Sequence, residues 1–149
     1  MSNEISIPIQ LLTEDAQIPT RAYKGDAGYD LYATSTYTLH PFERCLIATG
    51  IALEIPEGYG GFILPRSGLA IKNGLSLVNT PGLLDSNYRG EIKVIAINLD
   101  PHTDIIIQQG DRVAQLVVMN VADIEFVTTD DLSQSLRGEG GFGSSGVSK

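Results

Sequence analysis

The sequence predicts an all-β chain, a closed or double-sheet antiparallel barrel with one short helix and a flexible C-terminal arm. Three observations carry that expectation. Apolar residues recur mostly at every second position, turn-forming residues interrupt them at short intervals, and the last stretch is too rich in glycine and serine for any regular element.

The elements follow in order. "ISIPIQL", from Ile5 to Leu11, alternates as a half-buried strand does, and "GYDL" places Asp30 at the start of another strand after a glycine-punctuated loop. "CLIATGIALEI" gives two short apolar runs broken at Gly50. The best helix signal covers Gly68 to Lys72, with Ser67 placed to cap it and Gly74 to end it. "NTPGLLDSNYRGEI", from Asn79 to Ile92, reads as a hairpin with Asp85-Ser86-Asn87 as turn residues. "EIKVIAINL" and "RVAQLVVMNV" are rich in β-branched residues and read as strands. Turn signals at Pro41, Pro56-Glu57-Gly58, Lys72-Asn73-Gly74, Asp100-Pro101 and Gln109-Gly110-Asp111 separate these runs, giving about a dozen short strands. Closure of such strands on themselves hides their edges. After about Val127 the pattern stops, so residues 1–127 form the barrel domain and residues 128–149 the arm.

A chain of 149 residues with 42% hydrophobic content supports one domain with a proper core plus that arm. The N-terminus shows no charged-then-apolar leader and nothing approaches the ~20 apolar residues of a membrane span, so a soluble protein of the cytoplasm is expected. The single cysteine, Cys45, has no internal disulfide partner. With His40 and His102, both beside prolines and read as turn residues, it makes no zinc cluster. A net charge of −8 argues against wholesale attraction to nucleic acid or an anionic membrane, so a polyanionic ligand needs a local positive site.

Such a site has candidates. Arg66, Arg89, Arg112 and Arg137 each lie within two residues of a glycine. Arginine offers phosphate a planar fork and glycine lets backbone amides approach, although the same pairs also serve ordinary turns. In "PRSGLA", Arg66, Ser67 and the amides that follow could face one phosphate group, or simply connect a strand to a helix. Asp30, taken alone, reads as a turn residue rather than a site, and nothing local separates a catalytic Asp85 from a routine turn aspartate. Gln115 stands inside the apolar strand of "GDRVAQL", where its amide needs partners from backbone or ligand.

Together, "AGYDL", "PRSGLA", "NTPGLLDSNYRGEI", "GDRVAQL" and "RGEGGFGSSG" resemble, in order and spacing, the five motifs of the trimeric dUTP pyrophosphatase (dUTPase) family, and the likeness spans nearly the whole chain. Two positions depart from the usual pattern. Asn87 stands where many members have a second aspartate, and Leu84 where isoleucine is usual.

The resemblance implies a jelly-roll barrel assembled as a homotrimer, with each active site completed by residues from all three chains. It implies hydrolysis of dUTP to dUMP and pyrophosphate with Mg²⁺, which keeps uracil out of DNA and supplies dUMP for thymidylate synthesis. On that pattern Asp85 is the base for the water that attacks the α-phosphorus, and Asp30 reaches Mg²⁺ only through coordinated water. Arg66, Ser67, Gly68 and Gln115 grip phosphates. Asn79 and the backbone of Leu83 and Leu84 lie near the uracil edge, in a hairpin too tight for the methyl group of thymine. Tyr88 packs under the deoxyribose and crowds out a 2′-hydroxyl, and Lys93 adds a main-chain contact. From the arm, Phe142 stacks on the base, Arg137 clamps the terminal phosphate, and Gly143, Ser144 and Ser145 bind along the triphosphate of a neighbouring subunit's site. Two alternatives stand beside this reading. The related dCTP deaminases share the barrel but not the Tyr88 segment with a complete arm, and a non-catalytic jelly-roll protein, regulatory or structural, would be expected to have lost Asp85 or the arm residues.

Overall fold

A computed structural model describes residues 4–148, so the first three residues of the expected barrel domain and Lys149 of the expected arm lie outside the described residues. Eleven strands and one helix follow each other along the chain. The strands are β1 (Ile9–Leu11), β2 (Tyr29–Tyr32), β3 (Tyr37–Leu39), β4 (Arg44–Ala48), β5 (Ile51–Leu53) and β6 (Tyr59–Leu64), then β7 (Leu75–Leu77), β8 (Gly82–Leu84), β9 (Lys93–Asn98), β10 (Ile105–Ile107) and β11 (Arg112–Asn120). The helix, α1 (Ser67–Asn73), lies between β6 and β7.

Every strand pair is antiparallel, as the short turns require. The pairings form four sheets around one core rather than a single hydrogen-bonded ring: β2-β11-β6-β8, β4-β9-β7, β1-β5 and β10-β3. Leu31, Leu39, Ile47, Ile51, Ile92, Val94 and Val113 are almost wholly excluded from solvent and come from several of these sheets, so the sheets share one interior. β9 shows how the sequence pattern becomes packing: Val94, Ala96 and Asn98 point inward and alternate with more exposed neighbours. The inward Asn98 is satisfied because its Nδ2 donates to the carbonyls of Leu39 and Thr103. In β11 the register shifts between Arg112 and Ala114, and this irregularity buries the consecutive residues Val113 and Ala114. The apolar run expected to break at Gly50 does so, with that residue at φ 68° between β4 and β5.

Three local expectations need correction. Ser67 does not cap the helix; it is the first helical residue, and Arg66, still extended at φ −91°, ψ 127°, takes the cap position without a side-chain bond. The reason is that the backbone runs straight from β6 through Pro65, and the Arg66 carbonyl accepts the Ala70 amide at 3.0 Å. Gly74 ends the helix as expected, left-handed at φ 72° with its amide on the Ala70 carbonyl. Second, Asn79–Ile92 is not a hairpin. β8 pairs with β6, and the chain after Tyr88 leaves that sheet to enter β9 between β4 and β7. On this path Val94 and Ala96 enter the core from a central strand paired on both sides. Third, only Ile9–Leu11 of the alternating N-terminal run forms strand, paired with β5.

Regular structure ends at Asn120. Beyond it the apolar side chains of Ile124, Phe126, Val127, Leu132 and Leu136 are all exposed. No helix among the described residues is long and apolar enough to cross a membrane.

Candidate active site

β2, β11 and the start of α1 bound a cleft of about 650 Å³ lined by Gly28, Asp30, Arg66, Ser67, Lys72 and Gln115 among others. The register explains the grouping. Asp30 lies opposite Gln115, and Gln115 opposite Leu64, so a single row across β2, β11 and β6 ends just before Pro65 and Arg66. Five of the residues expected to handle phosphate or metal, Asp30, Arg66, Ser67, Gly68 and Gln115, thus line one cavity.

The side chains of Asp30, Arg66 and Gln115 are held before any ligand arrives. Arg66 Nε is 2.9 Å from Asp30 Oδ1, and Arg112 Nη1 is 3.7 Å from Asp30 Oδ2. Arg66 Nη1 also donates to the Arg112 carbonyl at 3.3 Å. The Asp30 carboxylate therefore orients two guanidinium groups, whose remaining N–H donors suit phosphate oxygens. Gln115 Nε2 donates to the Pro65 carbonyl at 2.9 Å. The amide fits because Gly28 has no side chain: a Cβ there would lie 2.2 Å from Gln115 Oε1. Gly28 is not in the left-handed region, so space and not backbone conformation makes glycine necessary.

Asp85, Leu83, Leu84, Tyr88, Asn79 and Lys93 lie elsewhere. Leu84 pairs with Gly61, five residues before Arg66 along an extended stretch, which is about 16 Å at the ~3.3 Å rise of a strand. Asp85 is exposed and begins a turn closed by the Tyr88 amide on the Asp85 carbonyl at 3.1 Å. Leu83 is exposed while Leu84 points into the core, so the departure from isoleucine at position 84 changes branching inside a packed interior. Asn79 is exposed before β8, next to the cis Thr80–Pro81 bond. Lys93 opens β9 opposite Ala48, with Nζ 3.4 Å from Glu91 Oε2.

The arm residues stand apart from both groups. Phe142 is fully exposed at φ 50°, and Gly143, Ser144 and Ser145 are exposed beside it. Arg137 Nε donates to the Gly140 carbonyl at 2.6 Å, and the Ser144 amide to the Gly141 carbonyl at 3.0 Å.

One cleft cation, Lys72, was not singled out from sequence and carried no signal there beyond the helix it ends, whereas Arg112, flagged by its closeness to Gly110, does not line the cleft and reaches it through Asp30. Arg89, the other glycine-flanked arginine of the barrel, serves its own turn by donating to the carbonyls of Ser86 and Tyr88. Among the described residues no group of three or more His, Cys, Asp or Glu could cage a metal ion. Cys45 is half-buried, and that burial, with Glu43 nearby, pushes its thiol above the ordinary value.

An all-β fold with a preset arginine–carboxylate cleft and a separate Asp-Tyr turn defines a class of small phosphate-handling enzyme. Comparison with known proteins gives the family. The dUTPase family model matches residues 14–146, and the chain belongs to that family. The chain is 53% identical over 146 residues to a deoxyuridine 5'-triphosphate nucleotidohydrolase of Rhodococcus erythropolis, covering 98% of this chain and 89% of the relative. It is 50% identical over 138 residues to the protein of the same name from Tropheryma whipplei, covering 93% and 94%. The fold matches the dUTPase of Staphylococcus bacteriophage 80alpha with dUPNHPP at a TM-score of 0.89 and 32% identity, over 98% of this chain and 100% of that one. It also matches a mutant dUTPase from phage phi11 of S. aureus, whose structure addresses coordination of a structural Mg(II) ion. There the TM-score is 0.79 and the identity 28%, over 85% and 98% of the two chains.

Proposed function

We infer that the chain hydrolyses dUTP to dUMP and pyrophosphate in the cytoplasm. The observation that carries this reading is that the family match runs from residue 14 to 146 and so includes the cleft, the Asp85–Tyr88 turn and the arm alike.

The roles follow from the chemistry of each group. Arg66 and Arg112, held by Asp30, meet the phosphate oxygens with Ser67, Gly68 and the Gln115 amide. Asp85 accepts the proton from a water whose oxygen bonds to the α-phosphorus. The bond from that phosphorus to the oxygen bridging to the β-phosphate breaks, and pyrophosphate leaves with the electron pair. The residues present suit a Mg²⁺ ion that arrives on the triphosphate better than one in a protein cage, since no three-ligand cluster exists among the described residues and Asp30 is committed to two arginines. Asp30 would touch it only through water, and the ion would neutralise charge on the departing pyrophosphate. Leu83 and Leu84 would offer backbone groups to the uracil edge, with Asn79 and Lys93 supporting that segment. A wrong base would leave buried polar groups unpaired, at about 1–3 kcal/mol each.

The Asp85–Tyr88 turn follows Leu84, whose partner Gly61 lies about 16 Å along the chain from Arg66, and this separation supports a site shared between copies. In a homotrimer, the cleft of one protomer would face the Asp85–Tyr88 turn of a second. The arm of a third would close over both, with Phe142 on the base and Arg137, Gly143, Ser144 and Ser145 along the phosphates.

Pyrophosphate release measured across dUTP, dCTP, dTTP and UTP, with and without Mg²⁺, tests the reading. Selective release from dUTP is expected. Ammonia release from dCTP would instead mark a deaminase, and inertness toward every nucleotide a non-catalytic protein.

A further inference from the structure

We propose that Gly90 is a specificity-positioning residue, which holds the Tyr88 ring in the pose that separates deoxyribose from ribose by leaving room for the ring against the main chain. The proposal rests on the functional reading above.

Tyr88 is clamped at both ends. Its amide donates to the Asp85 carbonyl at 3.1 Å, and its hydroxyl donates to the Glu91 carbonyl at 2.9 Å. The ring between these ties lies directly over Gly90. A Cβ at position 90 would stand 2.4 Å from the Tyr88 hydroxyl oxygen, 2.6 Å from Cζ and 2.9 Å from Cε2. Contacts that short do not occur between real atoms, so the ring or the backbone must move. Gly90 is not in the left-handed region, so no left-handed strain opposes alanine there, and the three atoms nearest the added carbon all belong to the Tyr88 side chain.

The backbone under the ring is the stiffer partner. Glu91 Oε1 accepts the Gly50 amide at 3.0 Å and the Ile92 amide donates to the Ile51 carbonyl at 2.8 Å, with Ile92 almost completely buried. These ties anchor the Gly90–Ile92 segment to the barrel, while Tyr88 remains 46% exposed. Because its proton is spent on Glu91, the Tyr88 hydroxyl has no donor left for a substrate, and the face it presents is the ring. Discrimination against a 2′-hydroxyl then depends on where that ring stands, and Gly90 sets the place.

The test compares kcat/KM for dUTP and UTP in the full-length parent, Gly90→Ala, Tyr88→Ala and the double variant. Gly90→Ala should lower the dUTP/UTP ratio about tenfold with little change in melting temperature. In the Tyr88→Ala background the same substitution should change the ratio no further, since its effect acts through the ring. An unchanged ratio in Gly90→Ala, or an equal loss with Tyr88 absent, overturns the proposal. If Gly90→Ala does not fold, Tyr88→Phe, which cuts the tie to Glu91 without a collision, must lower the ratio; an unchanged ratio there overturns it. Should the parent hydrolyse no nucleotide, the functional reading fails and the positioning claim is decided by a crystal structure of Gly90→Ala. A displaced Tyr88 ring supports it, and an undisturbed ring overturns it.

Discussion

The cleft and the arm carry the same kinds of residue and hold them in opposite ways. In the cleft, Gln115 is bonded to Pro65, 50 positions away, and Arg66 to the Arg112 carbonyl, 46 positions away, so the groups are positioned by the folded barrel itself. In the arm, Arg137 bonds to Gly140 and Gly138 to Ser135, each three positions away, and Phe142 is bare to solvent. The difference separates two ways of binding a triphosphate. Preset donors lose little entropy on binding, whereas an arm of glycine and serine gives up its freedom only when substrate compensates for the ordering. Such an arm can admit a ligand and then exclude water around it, which a rigid wall cannot do.

Substitution of the base sharpens this division most. Asp85→Asn should cut kcat about 10³-fold while a non-hydrolysable dUTP analogue still binds to cleft and arm with near-parental affinity by calorimetry. Parental turnover in that variant would remove Asp85 from the mechanism. Next in size is truncation before Arg137, expected to lower kcat/KM about 10²-fold with the thermal midpoint unchanged, because no arm hydrogen bond reaches the barrel among those formed by residues 137–148. A truncated chain as fast as the parent would break the comparison outright, and one that unfolds would show that the arm is part of the core.

These expectations depend on features that were unequally legible in the sequence. Strands β4, β5, β9 and β11 could be read because alternation and β-branching are local, as could the break at Gly50 and the stop at Gly74. Asp30, Arg66 and Gln115 were visible as polar or charged residues in apolar or glycine-rich settings. What escaped was set by distant partners. The Asn79–Ile92 segment has the composition of a hairpin, yet β8 finds its neighbour in β6 across the helix. Ser67 looks like a cap until the extended Arg66 takes that position. Gly28 and Gly90 matter for the atoms they lack, and the side chains that fill the space come from β11 in one case and from two residues away in the other. No periodicity records a vacancy.

Gly28→Ala probes the rigid half of the comparison without touching a donor. The added carbon meets Gln115 Oε1 at 2.2 Å, so the amide should leave the Pro65 carbonyl and its place in the cleft. KM for dUTP is expected to rise about tenfold, with about 1 kcal/mol lost in stability by thermal denaturation. Unaltered KM would mean that the Gln115 amide has no part in binding.

The smallest effect is expected outside both regions. His40 and Asp104 follow the β3–β10 pairing one step past Leu39 and Ile105, with Nδ1 2.9 Å from Oδ1. The hydrogen bond to Asp104, then its charge and that of Glu43, raise the His40 value above 6.5. A value raised by folding contributes stability below the unfolded value of 6.5, and that contribution is lost as pH rises through the folded value. The pair is open to solvent, so the contribution is slight. Asp104→Asn should therefore lower the melting temperature a little below pH 6.5 and not at pH 8, with kcat for dUTP unchanged throughout. A gap in melting temperature that does not vary with pH would mean that the Asp104 side chain acts by packing, and a change in kcat would mean that the barrel's far edge and the cleft are coupled.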